Sequence, residues 1–126
     1  MFVIRVLATA ALATLSLGSA QAQPAAPVQV INLASYSFSP APIVLHAGIP
    51  VTLQFVNRAG KGHDFTAKLF FRSARILAGS VEGGEIELRP GQTANVTLIP
   101  AAGRYNVRCS HAFHNMLGMH TTILVQ

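Results

Sequence analysis

One stretch near the C-terminus, Cys109-Ser110-His111-Ala112-Phe113-His114-Asn115-Met116-Leu117-Gly118-Met119-His120, holds the only cysteine of the chain, three of its five histidines and two of its three methionines. Thiolate, imidazole and thioether are the donor set that suits copper. The stretch therefore reads as most of a mononuclear copper site. The rest of the chain then has to supply one distant ligand and a rigid frame.

The spacing gives that reading a geometry. Tyr105, Val107 and Cys109 alternate, so on a strand they share one face. Tyr and Val are core types, and Cys109 is thereby aimed inward at the strand's end, where a thiolate is shielded from water and oxidants. A free cysteine is commonly just a buried structural thiol, but such a thiol needs no crowd of ligand types in the eleven positions that follow it. His114 lies five residues after Cys109 and Met119 five beyond that, and Gly118 gives conformational freedom just before Met119. A trigonal His₂Cys site with a weak axial thioether needs a second imidazole from elsewhere. His63, directly after a Gly-rich loop that follows a strong strand, is favoured over His46, which precedes Ala47-Gly48 as a solvent-facing strand residue. His111, Met116 and His120 stand as alternative ligands within the loop.

The positioning elements come next. The chain has 126 residues, which is one domain's worth. Residues 1–22 read as a secretory signal peptide: Arg5 makes a basic start, residues 6–17 are almost wholly apolar, and Ala20-Gln21-Ala22 is a cleavage site. No other stretch could span a bilayer, so no membrane span is expected in the mature chain. Residues 23–27 form a Pro/Ala-rich flexible leader, and 28–126 form the domain. Without Arg5, eight basic and four acidic residues remain, a net of +4. The basic residues are scattered and not interleaved with aromatics, which argues against a nucleic-acid partner. A single Cys in a secreted chain cannot form an internal disulfide, and is intermolecular, reactive or metal-bound.

From residue 28 onward, short apolar-alternating runs are separated by Pro and Gly, the pattern of an all-β sandwich. Runs fall at 28–38, 43–46, 51–56, 63–67, 85–88, 93–99, 104–109 and 120–125. In the first run the alternation changes phase, which a bent or bulged strand would do. Residues 68–79 carry Phe70, Ala74 and Leu77 at i, i+4 and i+7, which fits either a short helix or a loop tucking Phe70 and Phe71 under a sheet edge. The expected architecture is a Greek-key β-sandwich of seven to eight strands, with a short helix near 68–78 as an option.

These residues resemble the cupredoxins, the small blue-copper proteins of the plastocyanin/azurin type. Gly103-Arg104-Tyr105-Asn106-Val107-Arg108-Cys109 is similar to the family's Gly-x-Tyr-x-x-x-Cys strand, and His114-Asn115-Met116-Leu117-Gly118-Met119 to its His-x-x-x-Gly-Met. Residues 57–64 resemble the segment carrying the upstream copper His, 38–57 the N-terminal strands, and Leu88-Arg89-Pro90-Gly91-Gln92 the turn before the penultimate strands; 67–84 has no counterpart. The resemblance implies one copper per chain cycling between Cu(I) and Cu(II), with His63, Cys109 and His114 as equatorial ligands and Met119 as the axial one. It implies single-electron transfer between redox partner proteins, with His114 as the exit path. Two departures stand out. Four residues separate Cys109 from His114, an azurin-like rather than plastocyanin-like spacing that admits His111 as a rival ligand. Asp64 follows His63 where relatives often carry Asn, so the bracing of this loop falls to a carboxylate, which also lowers the reduction potential if its charge is felt. Asp64 and Ser110, each next to a ligand, are the expected supporting residues.

The leading functional expectation is a periplasmic electron carrier, monomeric and not an enzyme. The alternative is a periplasmic copper chaperone or buffer working with copper donor and acceptor proteins; the surplus of His111, Met116 and His120 favours it. No acid/base pair or substrate-sized insertion supports catalysis.

Overall fold

The computed structural model describes residues 13–22 and 24–126. Residues 13–22, the tail of the expected signal segment, are exposed and lack regular secondary structure; the rest of that segment, and Gln23 of the leader, lie outside the described residues. Among the described residues, no helix is long and apolar enough to cross a membrane.

The chain forms β1 (Val28–Ala34), β2 (Ser37–Ser39), β3 (Ile43–Leu45), β4 (Val51–Asn57), β5 (His63–Thr66), α1 (Lys68–Ser73), β6 (Arg75–Ala78), β7 (Glu85–Leu88), β8 (Thr93–Ile99), β9 (Gly103–Arg108) and β10 (His120–Val125). Two five-stranded sheets, in the orders β2-β1-β4-β8-β6 and β3-β10-β9-β5-β7, make the sandwich. Period-two alternation puts Val51, Leu53, Phe55 and Asn57 inward along β4, with Ile31 and Leu33 of β1 and Val96 and Leu98 of β8 beside them. The facing sheet contributes Phe65, Ile86, Leu88, Val107 and Ile123 to the same core. Phe65 is its hinge point, edge-on to Phe38 at 5.6 Å and tilted against Phe55 at 4.7 Å. Truncating such a ring to Ala costs about 3–5 kcal/mol, and it would loosen β5, the strand that His63 opens.

The all-β expectation holds, with ten strands among the described residues where eight runs were read. The first run is two strands. The phase change after Leu33 is a reversal at Ser35 and Tyr36, not a bulge, and it folds β2 back onto β1 with Leu33 opposite Phe38. The second extra strand, β6, pairs with the free edge of β8. All four of its residues are exposed, so it carries no alternation that a sequence could reveal. The helix ends at Ser73: it buries Phe70 and Phe71, and Leu77 lies exposed on β6 instead of extending an apolar helical face. Ser73 Oγ donates to Tyr105 Oη at 3.0 Å and Tyr105 Oη donates to Ala101 O at 2.9 Å, tying α1 to β9, the strand that leads into Cys109.

Candidate metal centre

Three chain segments meet at one end of the sandwich. His63 opens β5, Cys109 follows β9 directly, and Met119 directly precedes β10. The approach to His63 is held by the buried Asn57. Its Nδ2 donates to Lys61 O at 2.8 Å and to Leu88 O at 3.1 Å, and its Oδ1 accepts from Ala59 N at 3.0 Å. Residues 109–119 form a loop closed by its own backbone. Cys109 N donates to Met119 O at 3.1 Å, Met119 N to His114 O at 3.0 Å, and Leu117 N to Phe113 O at 3.0 Å. Gly118 has φ +96°, in the left-handed region that favours glycine, which turns the chain into β10 just before Met119.

The loop brings donor atoms together. His63 Nδ1 and His114 Nδ1 are 3.1 Å apart, and Cys109 Sγ lies 3.5 Å from His114 Nδ1 and 3.9 Å from His63 Nδ1. His63, Cys109 and Met119 are fully buried, while His114 is partly exposed. The other ring nitrogen of His63, Nε2, is 3.0 Å from Ser35 Oγ. That contact holds the ring with Nδ1 facing the sulfur. Tyr36 packs its ring edge against His114 at 4.9 Å and against His63 at 6.0 Å.

Burial sets the protonation. It pushes the His63 pKa down, with the nearby His114 and His111 acting in the same direction, so the ring is neutral and its nitrogen lone pair is free to bind. Burial pushes the Cys109 thiol up, opposed by the backbone N–H groups of Asp64 and His111 directed at the sulfur. Asp64 N lies 3.4 Å from Cys109 Sγ. A cation that replaces the thiol proton recovers what burial costs the thiolate.

Asp64 is the brace. Its Oδ1 accepts from Ser110 N at 2.9 Å and from Thr66 Oγ1 at 2.7 Å, and its Oδ2 accepts from Ser110 Oγ. A carboxylate thus secures β5 to the start of the ligand loop by accepting a backbone N–H. His111, at the side, has Nε2 2.8 Å from Glu87 Oε1 and 3.7 Å from Asp64 Oδ2. Asp64, Cys109 and His111 form a second grouping of donor atoms, all within 4.8 Å of one another, beside the one made by His63, Cys109 and His114. His120 and His46 are exposed and belong to neither group, and Met116 is 81% exposed. Sequence reasoning missed Ser35, Tyr36, Asn57 and Glu87. The only hint for the first two was the phase change between Leu33 and Phe38; Asn57 ended a clean strand before a loop, and Glu87 gave no sign.

The fold and the donor set together define a class. The cupredoxin-like domain family matches residues 6–125, and the chain belongs to that family. Its fold is similar to McoA, a multicopper oxidase from the hyperthermophile Aquifex aeolicus: TM-score 0.62 and 16% identity, covering 85% of this chain and 32% of that one. This chain thus spans about a third of that oxidase. It is also similar to an auracyanin from the photosynthetic bacterium Roseiflexus castenholzii: TM-score 0.60 and 17% identity, covering 82% of this chain and 99% of the other. Auracyanin A, a "blue" copper protein from the green thermophilic photosynthetic bacterium Chloroflexus aurantiacus, aligns with TM-score 0.58 and 18% identity, covering 81% of this chain and 100% of the other. At these identities the likeness is one of fold. None of the curated protein sequences compared with the chain matches it.

Proposed function

We propose that this chain holds one copper ion through His63 Nδ1, His114 Nδ1, Cys109 Sγ and the Met119 thioether, and carries single electrons between redox partner proteins. The observation that carries the reading is the donor triangle of 3.1, 3.5 and 3.9 Å. Metal–imidazole and metal–thiolate bonds of about 2.0–2.3 Å in a near-trigonal arrangement require donor separations of roughly 3.2–3.8 Å. The residues therefore fit the ion with little rearrangement. When bound, copper supplies a one-electron Cu(I)/Cu(II) couple.

The chain's own part is to hold those donors still. Asn57, Asp64 and Ser35 each fix one side of the triangle through hydrogen bonds, and the core behind Phe65 fixes the strand. A frame that does not relax between charge states keeps the reorganisation on electron transfer small. The loop that carries the partly exposed His114 also exposes Phe113 (72%), Met116 (81%) and Leu117 (57%). An apolar patch around the one ligand that reaches the surface suits brief docking of a redox partner. Coverage also favours a carrier over an enzyme, since the auracyanins align over 99–100% of their length and the oxidase over 32%. The signal-like residues 1–22 support a periplasmic location for this carrier.

A second reading, a copper chaperone or buffer, draws on the grouping of Asp64, Cys109 and His111, which shares the sulfur with the first. Reconstitution with Cu(II) separates the two. The carrier gives an intense thiolate-to-copper band and reversible one-electron cycling. The band is lost in Cys109→Ala and in His114→Ala and kept in His111→Ala. Tight Cu(I) binding with no stable Cu(II) band, or a band lost only in His111→Ala, would sink the carrier assignment.

A further inference from the structure

The basic residues are scattered along the chain, but the fold gathers three of them. Arg58, Lys61 and Arg89 are exposed, and their backbones meet around the buried Asn57, at the end of the sandwich that holds His63, Cys109 and His114. Asn57 Nδ2 donates to Lys61 O at 2.8 Å and to Arg89 O at 3.2 Å, and Arg58 is the next residue in the chain. Lys61 Nζ lies 3.5 Å from Tyr36 Oη, and the Tyr36 ring packs against His114 at 4.9 Å. One cation of the three therefore borders the ligand that reaches the surface.

These charges have no counter-ion within the chain. Arg58 Nε donates to Asn32 Oδ1 at 2.7 Å, a neutral partner, as Tyr36 is for Lys61. Among the described residues, no lysine or arginine forms an ion pair with a carboxylate; the carboxylate contacts of that kind are those of His111 with Glu87 and Asp64. Asp64 is buried, and Glu82, Glu85 and Glu87 line a cleft that none of the three cations lines. Like charges held near one another without partners repel, and arriving opposite charges relieve that repulsion.

We propose that Arg58, Lys61 and Arg89 are the cationic flank of the docking face at His114, and that the redox partner meets it with a carboxylate-rich surface. The exposed Phe113, Met116 and Leu117 of the His114 loop supply the apolar part of the contact. Charges at the rim of an interface set the rate and orientation of encounter more than its affinity. Partner carboxylates drawn to Lys61 arrive beside Tyr36 and His114. A carrier that must dock and release needs an encounter of that kind, fast and oriented but not tight. The redox role of the face rests on the copper reading above; its attraction for carboxylates does not.

Two measurements test this. In the first, the protein without added metal is titrated with a hexaglutamate peptide at low salt and followed by amide NMR. The amides of residues 58–62 and 89–92 shift, and the affinity falls roughly tenfold in the triple variant Arg58→Gln, Lys61→Gln, Arg89→Gln. It is unchanged in Arg104→Gln, at a position toward the far end of β9, opposite Leu124. Asn57 binds the backbone carbonyls of Lys61 and Arg89, not their side chains, so the triple variant keeps the fold. In the second, the Cu(I) protein is oxidised by hexacyanoferrate(III), an anion, or by tris(phenanthroline)cobalt(III), a cation; each takes one electron and leaves Cu(II). At about 0.01 M ionic strength, where the screening length is about 30 Å, the anion reacts roughly tenfold more slowly with the triple variant than with the wild type, and the cation is not slowed. At about 1 M, where that length is about 3 Å, the difference vanishes. Peptide affinity indifferent to the triple variant, or an unchanged hexacyanoferrate rate at low salt, overturns the proposal. A wild-type protein with no thiolate-to-copper band refutes the copper reading instead, and the peptide titration still decides the cationic face.

Discussion

Replacing Asp64 by Asn tests how the carboxylate tunes the site. One of its oxygens lies within 4.8 Å of Cys109 Sγ. With a metal–sulfur bond of about 2.3 Å, the negative charge sits about 7 Å from a bound ion. At an effective dielectric of about 20 the interaction is about 2.4 kcal/mol, and at the water value of about 80 it is about 0.6 kcal/mol. For one electron, about 1.4 kcal/mol corresponds to about 59 mV, so removing the charge shifts the potential by about 25–100 mV. The sign is upward, because the carboxylate favours Cu(II), the more positive state. Asp64→Asn is the right perturbation because the amide oxygen can still accept from Ser110 N and the amide nitrogen can donate to Ser110 Oγ. The loop brace is retained while the charge is lost. Protein-film voltammetry reads the potential, and the visible band reports whether the ligand set is intact. An unchanged or lowered potential with an intact band would refute the electrostatic role given to Asp64.

Three further outcomes follow from the same contacts. Ser35→Ala frees His63 Nε2 and should weaken copper binding about 10–100-fold, read by competition with a chelator; unchanged affinity would mean the contact does not hold the ring. The metal-free protein should be most stable between about pH 6.5 and 9, with each proton contributing a slope of at most about 1.4 kcal/mol per pH unit. His63 has a lowered pKa, so the unfolded chain binds more protons as pH falls below 6.5 and stability drops; Cys109 has a raised pKa, so the unfolded chain binds fewer as pH rises above 9.0 and stability drops again. Urea titrations across pH check both limbs, and a flat profile contradicts the assignment. Phe113→Ser with Met116→Ser should leave the visible spectrum unchanged and slow electron self-exchange, measured by NMR line broadening; an unaffected rate would remove the apolar patch from the docking account.

What was legible in the sequence was whatever was local. Cys109, His114 and Met119 lie within eleven positions, and their loop closes on its own backbone, so spacing alone drew them together. His63 was legible because a strong strand and a Gly-rich loop precede it. The Asp64 and Ser110 support was legible from their places next to the ligands, but the contacts of Ser35 and Glu87 were not, because nothing local marks them: Ser35 is 28 residues from His63, and Glu87 is 24 from His111. The pairing of β5 with β7 that sets Asp64 against Glu87 depends on register, which no run of either strand reveals. Strands β2 and β6 escaped notice for a related reason. One is three residues long and the other has no buried face, so neither carries enough alternation to stand out.

The central claim is that one sulfur and two imidazoles converge on a single ion. Copper-edge X-ray absorption of the reconstituted protein tests it most directly. The account predicts one short copper–thiolate bond and two imidazole nitrogens in the oxidised protein, with the same set after reduction and the sulfur contribution gone in Cys109→Ser. A copper bound only by nitrogen and oxygen, or one whose thiolate bond is absent in the wild type, would contradict it.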